Sequence, residues 1–341
     1  MGKNGVSLAD IAQRLDTTTA TISRALRNDP RISDATKRRA LSVARELGYR
    51  PDPEAARLMA HLRSTREVRF VATLGLINDA PEGRDLYADP YTAQVISGAE
   101  KRAQELGYLL DEINVRQAGL GAARLASILR SRNIRGVLIP PQAMLEESIR
   151  LPFDDLAVVA ATAARPELPL HRVSPDHFAN LTLLIEKLIE LGHTRVGLLT
   201  THDMEIRQRR TPTSVFHWYV HEARRLESIP PLDAVREVGK LGAWFEKHRP
   251  TAVLAPDAWA RERLAPFTRL PQDTSLLIYG NRRPGISGID ELPEVIGAAA
   301  VDLLTSCVQR GETGLPASPK RVLIAGRYMA GNTLRALDAH S

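Results

Sequence analysis

The chain has 341 residues, of which a quarter are charged and 43% are hydrophobic, a composition typical of a globular protein with two or three domains. No run of about 18 apolar residues occurs, and the first residues lack an apolar signal-peptide core, so we expect neither a membrane span nor secretion. The single cysteine, Cys307, excludes a disulfide within the chain, fits a reducing cytoplasm and is expected to be a packed core thiol.

The excess positive charge is confined to the N-terminal segment. Residues 1–66 contain 13 Lys and Arg against 7 Asp and Glu, whereas the remaining chain contains 33 of each sign. This asymmetry accounts for the whole formal net charge of +6. A basic segment on an otherwise neutral protein is typical of a surface that meets phosphate groups.

Three short helices are predicted in this basic segment. Thr18 can cap the second helix, Ser33 or Asp34 can cap the third, and Gly48 can end the third. Apolar residues recur at helical spacing, so the expected core consists of Leu8, Ile11, Ala12, Leu15, Ile22, Ala25, Leu26, Ala40, Val43, Ala44 and Leu47.

The second helix has a polar and basic face opposite its core side, formed by Thr19, Ala20, Ser23, Arg24 and Arg27. Short polar and cationic side chains on a helix that follows a tight turn can approach base edges in the major groove of DNA. The alternative is a plain three-helix bundle with a solvated face. The short turn, the small side chains and the confined charge together favour DNA binding.

A further short helix is predicted after Tyr49, with Asp52 as its cap and Pro53 as its first residue. A helix of about two turns is marginal in water. We therefore expect this segment to fold only against a partner or DNA, which would make it a hinge; the alternative is a rigid linker.

From about residue 68 onward, short apolar runs alternate with helical patterns. Strands are predicted at 69–77, 109–115, 136–140, 156–161, 195–200, 252–256, 275–280 and 321–325, and helices at 92–106, 121–132, 176–191, 214–227, 240–248, 258–267 and 292–310. This alternation predicts parallel sheets covered by helices. The number of strands favours two doubly wound subdomains with a cleft between them.

Residues 6–60 resemble the DNA-binding head of the lactose-repressor (LacI/GalR) family of bacterial transcription regulators. The stretch VSLADIAQRLDTTTATISRALRNDPRISDATKRRALSVARELGYRPD carries the resemblance. Asp16 stands where the family usually has a turn glycine, Asp52 where it has asparagine, and Arg27 where asparagine is commoner. The fold is unaffected by these departures, but the operator sequence cannot be carried over from the family.

The resemblance implies an all-α head over residues 1–62, with the helix-turn-helix motif at about 8–27 and the hinge helix at about 53–60. It places Thr19, Ala20 and Arg24 at base-reading positions. Phosphate contacts are expected from Ser7, Thr18, Thr21, Ser23, Arg27, Ser33, Thr36 and Tyr49. Leu58, with Ala55, is expected to form an apolar wedge in the minor groove that kinks the duplex.

Residues 63–341 resemble the effector domain of the same family, which shares its α/β fold with periplasmic sugar-binding proteins. KLIELGHTRVGLLT at 187–200 and LPQDTSLLIYGN at 270–281 carry this resemblance. It implies two parallel-sheet subdomains, one over about 68–161 and 292–320 and the other over about 163–290 and 321–341.

The expected effector-binding residues are Tyr91, Arg207, Arg210, Asp257 and Asn281, although the register of the cleft arginine is ambiguous. Arginines replace acidic residues of the family pattern after Asn281, so the cleft is expected to be more cationic than a neutral-sugar site. Either the effector is anionic, such as a phosphorylated or acidic sugar, or tight binding has been lost. The alternative is that these arginines are solvated loop charges.

The expected protein is a cytoplasmic, nucleoid-associated homodimer that binds a pseudo-palindromic operator and regulates transcription, most simply as a repressor controlled by a small-molecule effector. No catalytic constellation, cofactor motif or metal site is visible in the sequence, so we expect no enzyme activity. His217 and His221 have metal-ligand spacing, but Trp218 stands where a zinc protease has glutamate. The rival classes are a periplasmic solute-binding protein, an enzyme on a Rossmann-like fold and an architectural DNA-binding protein.

Overall fold

The computed structural model describes residues 8–26, 32–47, 72–80, 85–116, 122–141, 153–162, 168–281 and 283–337. The helices are α1 (Leu8–Arg14), α2 (Thr19–Leu26), α3 (Asp34–Glu46), α4 (Pro90–Glu105), α5 (Ala122–Ser131), α6 (His177–Glu190), α7 (His202–Arg207), α8 (Thr211–His217), α9 (Leu241–His248), α10 (Ala260–Leu264) and α11 (Pro293–Arg310). The strands are β1 (Ala72–Asn78), β2 (Tyr108–Asn114), β3 (Gly136–Ile139), β4 (Ala157–Ala161), β5 (His171–Pro175), β6 (Val196–Thr200), β7 (Leu232–Asp233), β8 (Ala252–Asp257), β9 (Ser275–Asn281), β10 (Ser287–Asp290), β11 (Arg321–Ile324) and β12 (Arg327–Met329).

Helices α1 to α3 form the head, and they pack around a small core. Ile11, Ile22 and Ala40 are fully buried at its centre. The predicted core residues of this segment all belong to the cluster or pack against it. The helical spacing of apolar residues therefore identified the head core correctly.

The larger part of the chain forms two six-stranded sheets. The first, which we call sheet A, has the order β11-β5-β4-β3-β1-β2, and the second, sheet B, has the order β12-β10-β9-β8-β6-β7. All described pairings are parallel except that of β10 with β12. The prediction of two doubly wound α/β subdomains is confirmed.

The subdomain boundaries differ from those expected in two places. Strand β5 pairs with β4 and with β11, so both β5 and β11 belong to sheet A. The expected break at 161–163 falls instead between Pro175 and His177, where the chain leaves β5 and enters α6. The C-terminal segment is also divided, because β11 lies in sheet A whereas β12 lies in sheet B.

The chain crosses between the subdomains three times within its described residues. The first crossing joins β5 to α6, the second joins β10 to α11, and the third joins β11 to β12. At the third crossing the backbone N–H of Gly326 donates to Asn180 Oδ1 over 2.8 Å. The third crossing segment is therefore anchored to α6 of the second subdomain.

Each sheet is covered on both faces by apolar clusters. Helices α4 and α11 cover one face of sheet A, and Cys307 is buried there beside Ile296, as expected for a packed thiol. The two helices approach closely through glycines, because a Cβ at Gly297 would overlap Val95 O and one at Gly98 would overlap Glu294 O. Among the described residues, no helix combines the length and apolarity needed to cross a membrane.

Candidate DNA-binding head and ligand cleft

The turn between α1 and α2 is built by backbone hydrogen bonds and one left-handed residue. Asp16 has φ of +50°, and the N–H of Thr17 donates to Ala12 O over 3.0 Å. Aspartate tolerates this conformation better than most residues, which explains how it can replace the usual glycine. The turn thus fixes α2 against α1.

The predicted caps of α2 and α3 are both present. Thr18 Oγ1 accepts the N–H of Thr21 over 3.2 Å, and Ser33 Oγ accepts the N–H of Thr36 over 3.3 Å. Each pair also has its hydroxyl oxygens 2.9 Å apart. Four of the expected phosphate-contact side chains therefore lie at two helix N-termini, where backbone N–H groups favour an anion.

The face of α2 opposite the core carries the expected base-reading residues. Thr19 and Arg24 are exposed there, whereas Ile22 and Ala25 are buried. Ala20 and Ser23 lie on the same helix, but the structure does not describe their side chains, so their expected DNA contacts stay predictions. Ser7, Arg27, Tyr49, Ala55 and Leu58 lie outside the described residues, so their expected DNA contacts stay predictions.

A cleft with a volume of about 200 Å³ lies between the two subdomains. Its lining comes from the ends of strands of both sheets and from the helices that follow them: Asp89, Tyr91, Pro141, Thr162, Pro175, His177, Met204, Arg207, Gln208, Pro256, Asp257, Gly280 and Glu291. The position beyond the carboxyl ends of parallel strands is the one that doubly wound sheets favour for ligands.

Buried polar atoms of four side chains line the cleft: Tyr91 Oη, His177 Nδ1, Gln208 Oε1 and Glu291 Oε1. The Glu291 carboxyl contacts two of the others, because it interacts with the Tyr91 hydroxyl and its Oε1 lies 3.5 Å from His177 Nδ1. Gln208 Oε1 has no hydrogen-bond partner among the described residues. Because a buried polar atom is costly unless its hydrogen bonds are satisfied, these groups can gain by binding the polar groups of a ligand.

Burial shifts the pKa values of three of these side chains. Desolvation raises the pKa of Glu291 to about 8, and desolvation lowers the pKa of His177 to about 4. The pKa of the Tyr91 hydroxyl is also raised by burial and by the neighbouring Glu291 carboxyl. Near neutral pH, therefore, the cleft is lined by the neutral imidazole of His177, the largely protonated carboxyl of Glu291 and the phenol of Tyr91.

Three of the expected effector-binding side chains line the cleft: Tyr91, Arg207 and Asp257. Arg210 does not line it but precedes α8 in a left-handed conformation. The role of either arginine in effector binding stays a prediction. The side chain of Asn281 is outside the description, although the preceding Gly280 borders the cleft.

Sequence reasoning missed His177, Gln208 and Glu291. Glu291 follows β10, a four-residue strand that was not predicted, and His177 follows β5, whose sequence HRVSP has no long apolar run. A signal existed at Asp176, which caps α6 by accepting the N–H of Ala179 and thereby marks the end of a strand.

One pair of residues singled out in the sequence lies away from the cleft. His217 and His221 are exposed side by side, with ring centroids 5.5 Å apart. Trp244 and Phe245 are buried in the core.

Family models match both parts of the chain. The model described as "Bacterial regulatory proteins, lacI family" matches residues 7–52, and that described as "Periplasmic binding protein-like domain" matches residues 185–334. The HTH-type transcriptional repressor CytR of Escherichia coli is 28% identical over 202 residues, which cover 58% of this chain. That match spans 54% of CytR, about half its length.

A longer match is to the HTH-type transcriptional repressor PurR of Edwardsiella ictaluri, which is 24% identical over 87% of this chain and 89% of PurR. Both relatives are named as HTH-type transcriptional repressors.

Solved structures share the fold over nearly the whole chain. A lac repressor dimer bound to operator and the anti-inducer ONPF has a TM-score of 0.56 at 18% identity, covering 98% of this chain and 100% of that one. A complex of the transcriptional regulator CelR with cellobiose has a TM-score of 0.55 at 20% identity, covering 96% and 99%. The chain is therefore similar to the lacI family of bacterial regulatory proteins in its head and to periplasmic-binding-like domains in its larger part.

Proposed function

We propose that the protein is a sequence-specific DNA-binding regulator of transcription, a repressor whose operator affinity is changed by a small molecule in the cleft. One observation carries this proposal: the chain joins a basic three-helix head to a cleft that is lined by buried polar side chains and by residues of both subdomains. A head with exposed Thr19 and Arg24 supplies contacts to DNA, and the cleft supplies a site for the signal.

The proposed assembly is a cytoplasmic homodimer that places two heads on a pseudo-palindromic operator. In this assembly the bases are read by Thr19, Ala20 and Arg24. The phosphates are contacted by Ser7, Thr18, Thr21, Ser23, Arg27, Ser33, Thr36 and Tyr49. Leu58 and Ala55 of the paired hinge helices open the minor groove. The CytR, PurR and lac repressor likenesses support this arrangement.

The proposed ligand is a sugar or sugar derivative. Carboxyl groups of Asp89, Asp257 and Glu291 can accept hydroxyl protons, and Arg207 can donate to hydroxyl or anionic oxygens. Because residues of both subdomains line the cleft, the ligand would favour one arrangement of the subdomains over another. Ligand and operator must then change one another's affinity by the same factor.

The test is selection of binding sites from random duplexes with the purified full-length protein, followed by footprinting on the genome of its source. We expect a symmetric sequence that binds far more tightly than scrambled competitor at physiological salt. The substrates and products of proteins encoded beside the recovered sites are then titrated into the complex of protein and operator. One of them should shift operator affinity. Equal affinity for all duplexes, with or without these metabolites, would refute the proposal.

A further inference from the structure

A second pocket of about 200 Å³ adjoins the cleft at the edge of sheet A. The two share Thr162, Pro175, His177, Arg207 and Gln208 in their linings. A ligand of moderate size in the cleft can therefore extend into this second space, which we call the arginine pocket.

The charge of the arginine pocket is opposite to that of the cleft. Its lining includes Arg172, Arg207, Arg209 and Arg321. The one carboxylate among its described lining residues, Asp176, is engaged as the cap of α6. The cleft, by contrast, is lined by the carboxylates Asp89 and Asp257, the largely protonated Glu291 and one arginine, Arg207.

Two of the arginines lie side by side on neighbouring strands of sheet A. Arg172 of β5 and Arg321 of β11 are register partners in a parallel pair, so their side chains leave the same face of the sheet. The sheet thus brings two guanidinium-bearing side chains to one side of the pocket lining.

Arg172 is held in place by the surrounding backbone. It is 7% exposed, and its guanidinium donates to Leu168 O over 3.0 Å and to Thr162 O over 3.5 Å. A buried, fixed guanidinium is well suited to anion recognition, because little of its conformational freedom remains to be lost on binding.

The other two arginines come from the opposite subdomain, at the end of α7. Arg207 is the last residue of α7, and Arg209 begins a pair of consecutive left-handed residues, with φ of +53° and then +60° at Arg210. This conformation is unfavourable for residues other than glycine, and such strained backbone concentrates at functional sites. An anion in the pocket would thus be held by both subdomains.

We propose that the arginine pocket binds the phosphate or carboxylate group of a ligand whose hydroxylated body lies in the adjoining cleft, and that this anion holds the two subdomains together. The effect of this anion on operator affinity rests on the proposed function. Anion binding itself is measured without DNA, so it can fail or succeed independently of operator recognition.

The first experiment titrates inorganic pyrophosphate into the full-length protein by isothermal calorimetry. The variants are Arg207→Gln, Arg321→Gln and the double variant; these side chains are exposed, so the fold should survive. Each single variant should raise the dissociation constant about tenfold, the effect of losing one charge-assisted hydrogen bond. Added salt should weaken binding to the wild type.

Arg261→Gln is the matched control, because Arg261 is an exposed arginine on α10 that lines neither pocket. It should change the dissociation constant by less than about twofold. Equal affinities in the wild type and the double variant, or no saturable binding to the wild type, would overturn the proposal.

The second experiment distinguishes a phosphate from a carboxylate as the bound group and tests the connection to the cleft. Ribose is compared with ribose 5-phosphate, and glucose with glucose 6-phosphate and gluconate. The anionic member should bind more tightly than its neutral counterpart, and Arg321→Gln should remove most of that preference. Neutral sugars that bind as tightly as their anionic counterparts would contradict the inference.

Discussion

The head and the ligand cleft differ in how far apart in the sequence their functional residues lie. The described contacts of the head come from two short helices and their caps, within residues 18–36. The cleft is lined by residues from Asp89 to Glu291, on at least seven separate elements or connections. A recognition helix can thus be identified from local spacing, whereas a cleft requires the whole topology.

The two regions also differ in their cores. The head buries Ile11 and Ile22 with four alanines, whereas each sheet of the effector domain is packed between clusters rich in leucine, isoleucine and valine. A small core contributes less free energy of unfolding, so single substitutions should affect the head and the large domain separately.

The largest effect is expected from Gly297→Val in the effector domain. The added side chain would overlap the backbone of Val95 where α11 meets α4. The free energy of unfolding of this domain should fall by more than about 3 kcal/mol, as measured by urea denaturation. Gly239→Ala is the control, since a Cβ at Gly239 meets no atom within 4 Å, and an equal loss in both variants would contradict the close helix contact.

The next effect is expected from Ile22→Ala in the head. Ile22 is fully buried, and its loss should cost about 3 kcal/mol, enough to unfold much of a small head. Operator binding should be lost while ligand binding in the cleft is kept, which calorimetry and DNA-binding titration would separate. Leu41→Ala, at a residue 44% exposed, should leave both intact; loss of ligand binding in Ile22→Ala would show that the two regions are not independent.

A pH-dependent effect of similar size is expected from Glu291→Gln in the cleft. The pKa of Glu291 is 4.5 in an ordinary setting but about 8 in the fold, so the folded state loses stability as pH rises between these values. The variant should therefore gain roughly 3 kcal/mol over the wild type at pH 8 relative to pH 5, by urea denaturation.

The depressed pKa of His177 acts in the opposite direction, costing stability as pH falls from 6.5 towards 4, but it is present in both proteins. Glu294→Gln, at an exposed position of α11, should show no such pH-dependent gain. The same difference at both pH values for Glu291→Gln would mean that Glu291 is already ionised in the fold.

The smallest effect is expected from Arg24→Ala on the exposed face of α2. Operator binding should weaken by about 1.5 kcal/mol, and discrimination at one base pair of each half-site should be relaxed. Affinities for single-base variants of the selected operator measure this. Arg38→Ala, at an exposed arginine of α3, should retain base discrimination. A uniform loss over all sequences in Arg24→Ala would indicate a phosphate contact instead.

Most of the fold could be predicted from the sequence because its strands are apolar runs of five to seven residues, such as β4 and β9. Strands β5, β7, β10 and β12 were missed, since they are short or carry polar residues. Their positions depend on pairing with distant strands, which single-sequence patterns do not report.

The cleft was predicted only in part, because some of its residues are positioned by strands that the sequence pattern does not reveal. Tyr91 and Asp257 line the cleft from the ends of α4 and β8, which the pattern identified, and Arg207 lines it from the helix that follows β6. Glu291 and His177 follow the strands that were missed. The arginine pocket depends on the pairing of β5 with β11, residues 149 apart in sequence at Arg172 and Arg321, and could not be foreseen without the sheet order.

The three crossings of the chain have a consequence for how such a molecule can change over generations. Neither subdomain corresponds to one contiguous stretch of coding sequence, because each sheet takes strands from both sides of a crossing. No single recombination event can exchange one subdomain for a homologous copy and leave both sheets complete. New signal specificity must therefore arise by replacement of individual residues around an unbroken scaffold.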